Sequence, residues 1–554
     1  MDRPDAAERH TTDDDKELLP HPEGRHERGM SLIPAPRVFW PALILLGVFL
    51  ALALTMPERM GDVLAAANTT VVGDLGWYYV LIVASFVVFC IWLALSPMGD
   101  VVLGRQHEEA EFSLKSWFSM LFAAGMGIGL VFWGVAEPLN HYAAPPPGTR
   151  DTVDARAREA MDTTFLHWGL HAWAIYVIVG LAVAYTVHRR GRPISLRWTL
   201  EPVLGDRVKG WVGDVIDVIA VIGTVFGVAT SLGLGVSQIG AGLGFLGVIQ
   251  EATPLILVAL IIGITLVAVV SVATGVEKGI RILSNLNMAT AAVFALVVLV
   301  LGPTVFILSD LVQQVGSYAQ NLIRLSFRTL PFTGEEGKTW LSGWTTYYWG
   351  WWMSWAPFVG IFIARISRGR TVREFITGVL LVPTLVTFVW FSIMGGSALY
   401  REMFGTGGLI DGEGGVSTNE ALFQLLEGFP MSTLLSVVAI FLIVVFFVTS
   451  SDSGSFVVDM LASGGDTNPP IWSRVMWASI EGGIAAALIL AGGGGLGALQ
   501  TMAILVAVPF SVVMILMMVS TARSLLYEHG RALRRKKELE LDEVVSHVEE
   551  RIGS

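Results

Sequence analysis

Charged residues and cysteine are both scarce in this 554-residue sequence. Asp, Glu, Lys and Arg make up 15% of it, whereas a soluble protein carries about a quarter. The single cysteine, Cys90, excludes an intramolecular disulfide and a cysteine-based metal site. The polar stretch 1–36 lacks the apolar run and the small-residue cleavage site of a signal peptide, so we interpret it as a disordered tail.

Long apolar runs, in contrast, are abundant. Residues 39–56 and 294–308 contain no charged residue. A membrane-spanning helix needs roughly 20 apolar residues, and backbone in lipid must form its own hydrogen bonds. The sequence therefore predicts an all-α integral membrane protein. Twelve spans are predicted: 39–56, 77–96, 117–139, 163–187, 212–235, 254–273, 285–309, 340–364, 375–400, 433–461, 473–491 and 498–525.

The distribution of Lys and Arg predicts the orientation of these spans. With both termini in the cytoplasm, the cytoplasmic connections hold 15 Lys and Arg and the external ones hold 8. The predicted domains are the cytoplasmic tail 1–36, the transmembrane domain 37–526 and a cytoplasmic helical tail, 527–554. Segment 311–328 is predicted to be an amphipathic helix on the membrane surface or an ordinary external loop helix.

Glycine or proline interrupts the third and the eighth span. The third carries AAGMGIG (123–129), and the eighth carries WWMSWAPFVG (351–360) with a predicted break at Pro357. Interrupted helices in matching positions indicate inverted repeats with a binding site at the breaks. Spans 3–7 and 8–12 would then form two five-helix repeats. The alternative is that glycine only permits close helix packing.

Aromatic residues are concentrated inside the fourth and the eighth span. Trp168, Trp173 and Tyr176 share one face of a helix, and seven further Trp and Tyr residues lie between positions 344 and 355. No acidic residue stands inside either cluster. Aromatic faces attract a quaternary ammonium group, at roughly 0.5–2 kcal/mol per ring, and free N–H groups at the GMGIG break would attract a carboxylate. The alternative is packing and lipid-facing aromatic surface.

Four stretches resemble the betaine/carnitine/choline transporter family: FAAGMGIGLVFWGVAEPL (122–139), HWGLHAWAIY (167–176), YYWGWWMSWAPFVGIFIARISRGRTVREF (347–375) and FFVTSSDSGS (446–455). With the span count, the resemblance covers residues 39–525. It implies a LeuT-like transporter fold of twelve helices with two inverted five-helix repeats, alternating access, and a homotrimer.

The resemblance also implies a substrate site. The family's aromatic box corresponds to Trp168, Trp173, Tyr176 and Trp352. A second aromatic position corresponds to Trp355, Trp351 and Phe132. Gly127 and Gly129 belong to the GMGIG pattern, which resembles that of sodium-coupled betaine carriers. Choline carriers of the family tend to have Asp in place of Gly129, so glycine there favours a zwitterionic betaine over choline.

A sodium site is implied in the same way. Its ligands would be the carbonyls of Ala123, Met126 and Phe446 with the hydroxyls of Thr449 and Ser450. The alternative is that both hydroxyls bond only to their own helix. A second sodium position of the family uses two threonines, of which Thr224 is present while Val228 replaces the other.

Ionisable residues inside predicted spans are further candidates. Asp452 is interpreted as a network member or gate, Glu137 as a helix cap or paired group, and Glu481 has no predicted partner. His167 and His171 lack a third ligand for a metal, so packing is the expected role.

Together these features predict a symporter that imports glycine betaine, or a similar zwitterion, with Na⁺ across a bacterial plasma membrane. The expected partners are the small solute, sodium and membrane lipid, without nucleic acid. The alternatives are a carrier for choline, carnitine, ectoine or dimethylsulfoniopropionate, and proton-coupled or ion-independent transport. A channel or a membrane enzyme is a weaker alternative, since no nucleophile–base pair or metal-ligand cluster stands out in the spans.

Overall fold

The computed structural model describes residues 35–125, 127–274, 277–492 and 497–552. Within these ranges the regular structure is helical, apart from one isolated bridge between Val102 and Thr371. The prediction of an all-α protein is therefore confirmed. The predicted disordered tail 1–36 lies outside the described residues except for its last two, and Pro36 begins the first helix.

We number the main helices in chain order and leave the shorter turns unnumbered. They are α1 Pro36–Thr55, α2 Pro57–Leu95, α3 Leu114–Gly125, α4 Ile128–Ala143, α5 Val153–Trp168, α6 Leu170–Ala184, α7 Trp211–Phe245, α8 Pro254–Thr274, α9 Glu277–Leu301, α10 Thr304–Ser326, α11 Gly334–Leu341, α12 Tyr347–Ile366, α13 Val372–Phe404, α14 Ala421–Glu427, α15 Ser432–Ala462, α16 Ile471–Ala491 and α17 Gly497–Ile552.

Most of the predicted spans correspond to long apolar helices. Among the described residues, ten helical stretches are long and apolar enough to cross a membrane, and the bent pair α3 and α4 makes an eleventh. The predicted eighth span, α12, is 20 residues long but rich in Trp and Tyr, whose polar tips make it less apolar than a lipid-facing helix. The chain is thus a multi-pass membrane protein, and the count of twelve stays a prediction.

The seventh span ends earlier than predicted. We expected a helix over 285–309, but α9 ends at Leu301 and α10 begins at Thr304. Gly302 and Pro303 cause the break, since proline has no N–H to continue the ladder. The helix predicted over 311–328 is confirmed as part of α10. It is docked on α5, where the Ser317 hydroxyl donates to Asp162 at 2.8 Å.

The helices have two kinds of apolar surface: one is exposed, and the other is buried in the core. Leu255 on α8 and Leu296 on α9 are 76% and 57% exposed, as expected for side chains that face hydrocarbon. In contrast, α12 is surrounded by α6, α7 and α17. Its Tyr347, Tyr348 and Trp351 are fully buried. The aromatic helix therefore forms the centre of the molecule.

The helix breaks differ in part from the predicted ones. The third span is interrupted, with α3 and α4 bent by 63°. The predicted break at Pro357 is wrong, because α12 runs through that residue without interruption. Membrane helices tolerate an internal proline when neighbouring groups satisfy the freed carbonyl. The irregular backbone lies before α12, in a π-helical turn at Ser342–Thr346. The inverted repeats remain a prediction.

The last helix connects the membrane region with the C-terminal tail. α17 continues past the predicted domain boundary at residue 526 and ends at Ile552. Near that boundary Glu528 accepts a hydrogen bond of 3.0 Å from the Tyr185 hydroxyl and forms a salt bridge with Arg189. These contacts fasten the start of the tail to the connection that follows α6.

Candidate functional site

A cavity of about 520 Å³ lies between α4, α6, α12 and α15. It brings together eight of the nine predicted substrate residues: Gly127, Gly129, Trp168, Trp173, Tyr176, Trp351, Trp352 and Trp355. Phe132 does not line it. Its ring packs instead on Trp133, with 4.9 Å between ring centroids. The fourth and eighth spans therefore meet at one aromatic wall, although almost 180 residues separate them in the sequence.

The aromatic box, defined as Trp168, Trp173, Tyr176 and Trp352, consists of rings that meet at steep angles. The centroids of Trp168 and Trp352 are 4.8 Å apart with an interplanar angle of 73°. Tyr176 lies 5.3 Å from Trp173 and 6.2 Å from Trp352, again edge to face. Rings in this arrangement present faces in several directions toward one small volume. Such a surface suits a rounded cation better than a flat ligand.

Three indole N–H groups of this wall are used by the protein itself. Trp352 donates to the carbonyl of His167 at 2.8 Å and Trp355 to that of Gly227 at 2.7 Å. Trp351 donates to the Ser231 hydroxyl at 3.2 Å. With these donors engaged, the three tryptophans offer a ligand mainly their apolar, electron-rich faces.

A helix break at Gly169 makes this arrangement possible. α5 ends at Trp168 and α6 begins at Leu170, which leaves carbonyls at the end of α5 without helical partners. Those carbonyls accept hydrogen bonds from Trp352, at His167, and from the Thr387 hydroxyl at 3.0 Å, at Trp168. A Cβ on Gly169 would lie 2.4 Å from the carbonyl oxygen of Phe165. This break was not predicted from the sequence.

Gly129 stands where no side chain fits. A Cβ there would lie 2.5 Å from the Trp351 ring and 3.1 Å from the Trp168 ring. Gly127, with extended backbone, is the N-cap of α4. The first N–H groups of a helix have no partner within it, and those of α4 belong to cavity-lining residues. The two glycines therefore allow the rings of Trp351 and Trp168 to lie next to the free N–H groups at the start of α4.

A buried carboxylate, Glu137, forms hydrogen bonds with Trp168 of the aromatic box and with residues behind it. Its Oε2 accepts hydrogen bonds from the indole of Trp168 at 2.6 Å and from the hydroxyl of Tyr348. Its Oε1 lies 2.7 Å from Nδ1 of His167 and 3.3 Å from Nε2 of His141. Glu137 therefore links α4, α5 and α12. The sequence suggested a helix cap or a paired group, and the structure gives it four partners.

Glu137, His141 and His167 also place three possible metal-ligand atoms within 4.8 Å of one another. The other nitrogen of His167 is already engaged, 3.0 Å from the Thr345 hydroxyl. Hydrogen bonds thus account for both nitrogens of His167 and both oxygens of Glu137. We interpret the cluster as a hydrogen-bond hub. Metal binding would displace bonds that position the aromatic box.

The predicted sodium ligands lie along the same cavity. Ala123, Phe446, Thr449 and Ser450 line it, while Met126 lies outside the described residues. The Thr449 hydroxyl donates to the carbonyl of Val445 at 2.9 Å, so the expected back-bonding to its own helix is present. That bond uses the hydroxyl proton and leaves the oxygen lone pairs available to a cation.

The second sodium position is not part of the cavity lining. Thr224 and Val228 are both fully buried, and the Thr224 hydroxyl donates to the carbonyl of Ala220 at 2.7 Å.

Away from the aromatic box, the cavity reaches three charged residues, Arg365, Asp452 and Arg474. The guanidinium of Arg474 lies 4.7 Å from the ring centroid of Phe456.

The sequence of this chain matches a known family of membrane transporters over most of its length. The sequence model of the betaine/carnitine/choline family transporters matches residues 37–530. An uncharacterized transporter of Mycobacterium tuberculosis is 52% identical over 484 residues, covering 87% of this chain and 81% of that protein. Glycine betaine transporter OpuD of Bacillus subtilis is 45% identical over 500 residues, covering 90% and 96%.

A third relative, a glycine betaine transporter of Acinetobacter baylyi, is 41% identical over 481 residues, covering 87% of this chain and 72% of that protein. The family match extends from the first helix into α17 and includes every residue of the cavity lining. This chain is a member of the betaine/carnitine/choline transporter family.

Proposed function

We propose that this protein imports glycine betaine, or a closely similar zwitterion, by symport with Na⁺. The observation that carries the proposal is the aromatic box beside the N-terminus of α4. A trimethylammonium group cannot donate a strong hydrogen bond, and aromatic faces attract it without one. The free amides at the start of α4 provide partial positive charge for the carboxylate at the other end of the solute.

The preference for a zwitterion over choline rests on Gly129. A carboxylate side chain at this position would favour a pure cation, but the contacts of Gly129 with Trp351 and Trp168 leave no room for one. Glu137, the buried carboxylate that is hydrogen-bonded to Trp168 of the aromatic box, directs both oxygens toward protein donors. At the aromatic box, a solute with its own negative charge therefore meets amides and not an acid.

The positions of hydroxyl and carbonyl groups along the cavity support sodium coupling. Thr449, Ser450 and Phe446 on α15 line the same cavity as Ala123 at the end of α3. Sodium is a hard cation that prefers oxygen ligands, and an interrupted membrane helix supplies free carbonyls. Because one interrupted span would contribute to both sites, binding of the ion stabilises the backbone that receives the solute carboxylate.

Alternating access completes the proposal. The cavity runs from the aromatic box toward Arg365 and Arg474, which the distribution of Lys and Arg assigns to the cytoplasm. We therefore interpret this conformation as open to the inside of a bacterial cell, with Glu137 and its partners closing the external side. The twelve-helix inverted-repeat architecture and a homotrimer, both implied by the family resemblance, belong to the same proposal.

Calorimetric titration of the purified protein tests the ligand. Glycine betaine, choline, carnitine, ectoine and dimethylsulfoniopropionate are compared in Na⁺ and in K⁺ buffer. We expect the tightest binding for glycine betaine in Na⁺ and weaker binding in K⁺. Tighter binding of choline or ectoine would replace the proposed substrate, and equal betaine affinity in both buffers would remove the role of sodium in binding.

A further inference from the structure

A second buried carboxylate lies behind the cavity wall. Glu481, in the middle of α16, is 0% exposed, and neither of its carboxylate oxygens has a hydrogen-bond partner among the described residues. Holding an ionised, unpaired carboxylate away from water costs several kcal/mol. Ionisable groups inside membrane helices therefore carry a ligand or a function in most proteins.

The surroundings of Glu481 restrict what this ligand can be. A Cβ on Gly454 would lie 3.4 Å from Oε1 of Glu481 and 2.9 Å from the Val228 side chain. The carboxylate thus points into a junction of α7, α15 and α16. Ser451, one turn before Gly454, also faces Glu481, and its hydroxyl is buried without a partner in the described part of the chain.

This junction offers too few oxygens for a metal ion. Among the described side chains that contact Glu481, the Ser451 hydroxyl and the two carboxylate oxygens make three, whereas hard cations take roughly six oxygen ligands. Val228 closes one side with methyl groups, at the position where the family resemblance implied a threonine. A proton needs only one oxygen, and a protonated Glu481 can donate to the Ser451 hydroxyl.

The junction is connected to the cavity through the neighbours of Ser451 on α15. Thr449, Ser450 and Asp452 line the cavity, and Asp452 is the one charged group that interacts with Glu481 among the described residues. Val228 is the α7 side chain at the junction. The other helices packed on α16, which are α1, α2, α8 and α17, direct no described charged group at Glu481.

We propose that Glu481 is a proton-binding site and that its proton crosses the membrane together with the solute. This inference rests on the proposed function, because it names a second coupling ion of the same cycle. Ser451 follows the proposed sodium ligands Thr449 and Ser450 directly in the chain. A movement of α15 on ion and solute binding therefore changes the surroundings of Glu481, so that its proton is taken up on one side and released on the other.

Proteoliposomes that contain a pH-sensitive dye test this inference. The membrane voltage is clamped, Na⁺ is present, and labelled glycine betaine is added outside. The wild type is expected to acidify the interior as betaine enters. Glu481→Gln should bind betaine without acidifying the interior. Asp459→Asn is the matched control, since it removes a buried carboxylate of α15 that accepts a hydrogen bond from Ser473 at 2.8 Å.

The two measurements, interior acidification and uptake of labelled betaine, distinguish failure of the proton site from failure of the proposed function. Betaine entry into wild-type vesicles without acidification overturns the proton site and leaves the proposed function intact, and so does acidification by Glu481→Gln at the wild-type level. Absence of labelled betaine uptake in the wild type overturns the proposed function itself. If Glu481→Gln does not fold, the dye response of the wild type still tests whether a proton enters with betaine. A second variant, Ser451→Ala, is expected to slow acidification relative to betaine entry.

Discussion

The indole of Trp168 donates a hydrogen bond of 2.6 Å to the buried carboxylate of Glu137. The same carboxylate oxygen accepts a hydrogen bond from the hydroxyl of Tyr348. Two aromatic side chains from different helices are thus fixed by one group that does not itself line the cavity. The affinity of the site for its solute should therefore depend on residues behind the rings as well as on the rings.

Removing the hydroxyl of Tyr348 tests this dependence. Tyr348→Phe deletes one of the hydrogen bonds to the buried carboxyl group of Glu137, a loss worth about 1–3 kcal/mol. Because this bond orients the box, we expect glycine betaine to bind about tenfold more weakly, as measured by calorimetry. Tyr347→Phe is the matched control, since the Tyr347 hydroxyl has no hydrogen-bond partner among the described residues. Equal affinities of the two variants would contradict a positioning role for Glu137.

The cation–π contribution of the box is measured with an isosteric ligand. Tert-butylacetate replaces the ammonium nitrogen of glycine betaine with carbon, which keeps the shape and removes the positive charge. Wild-type protein should prefer betaine, and Trp352→Leu should lose about 1–2 kcal/mol of this preference. Trp352→Phe should retain most of it because an aromatic face remains.

Competition binding of glycine betaine and tert-butylacetate measures the preference for the charged ligand directly. If the wild type bound both equally, the aromatic wall would act only as apolar surface. The comparison does not depend on the overall stability of a variant, because each variant serves as its own reference.

Gly129 should tolerate no side chain in this conformation. A Cβ would lie 2.5 Å from the Trp351 ring, so both Gly129→Ala and Gly129→Asp must displace Trp351. We expect both variants to lose betaine binding in calorimetry. Gly263→Ala on α8 is the control, since a Cβ there meets nothing within 4 Å. Betaine binding by Gly129→Ala at wild-type affinity would contradict the close contact.

Part of this arrangement could be predicted from the sequence. The apolar runs predicted most helices because lipid exposure requires them. The spacing of Trp168, Trp173 and Tyr176 predicted one aromatic wall, which is present, although Trp168 lies on a different helix from the other two. The break at Gly169 could not be predicted, because it depends on Trp352 and Thr387 bonding to the freed carbonyls. These partners lie far along the sequence.

Two further differences have a similar origin. Pro357 was expected to break its helix, but the neighbours of a membrane helix decide whether a proline breaks it. Glu137 was not recognised as a hub because its partners Trp168 and Tyr348 belong to other helices. Hydrogen bonds between distant segments leave no periodic signal in the sequence.

Asp310 on α10, outside the spanning helices, should make stability depend on pH. Burial raises its pKa from 3.8 to about 6, although the Gln314 amide donates to it at 3.1 Å. The folded state therefore holds this proton more tightly than the unfolded state, and stability falls as pH rises from 3.8 to about 6. Asp310→Asn should remove this loss, a gain on the order of 2 kcal/mol at neutral pH.

Thermal unfolding in detergent at several pH values measures this effect. Asp310→Asn should unfold at a higher temperature than the wild type above the raised pKa, and the difference should shrink in acid. The control is Asp542→Asn, which alters an exposed carboxylate of the C-terminal helix. A difference between Asp310→Asn and wild type that grew in acid would contradict the assignment.

Uptake of labelled glycine betaine into proteoliposomes tests the central claim most directly. The assay compares an inward sodium gradient with an equal potassium gradient, for the wild type and for Thr449→Val. We predict that the wild type accumulates betaine only with the sodium gradient, and that Thr449→Val, which lacks a proposed sodium ligand, loses this dependence or its uptake. Absence of betaine uptake by the wild type under either gradient would contradict the account.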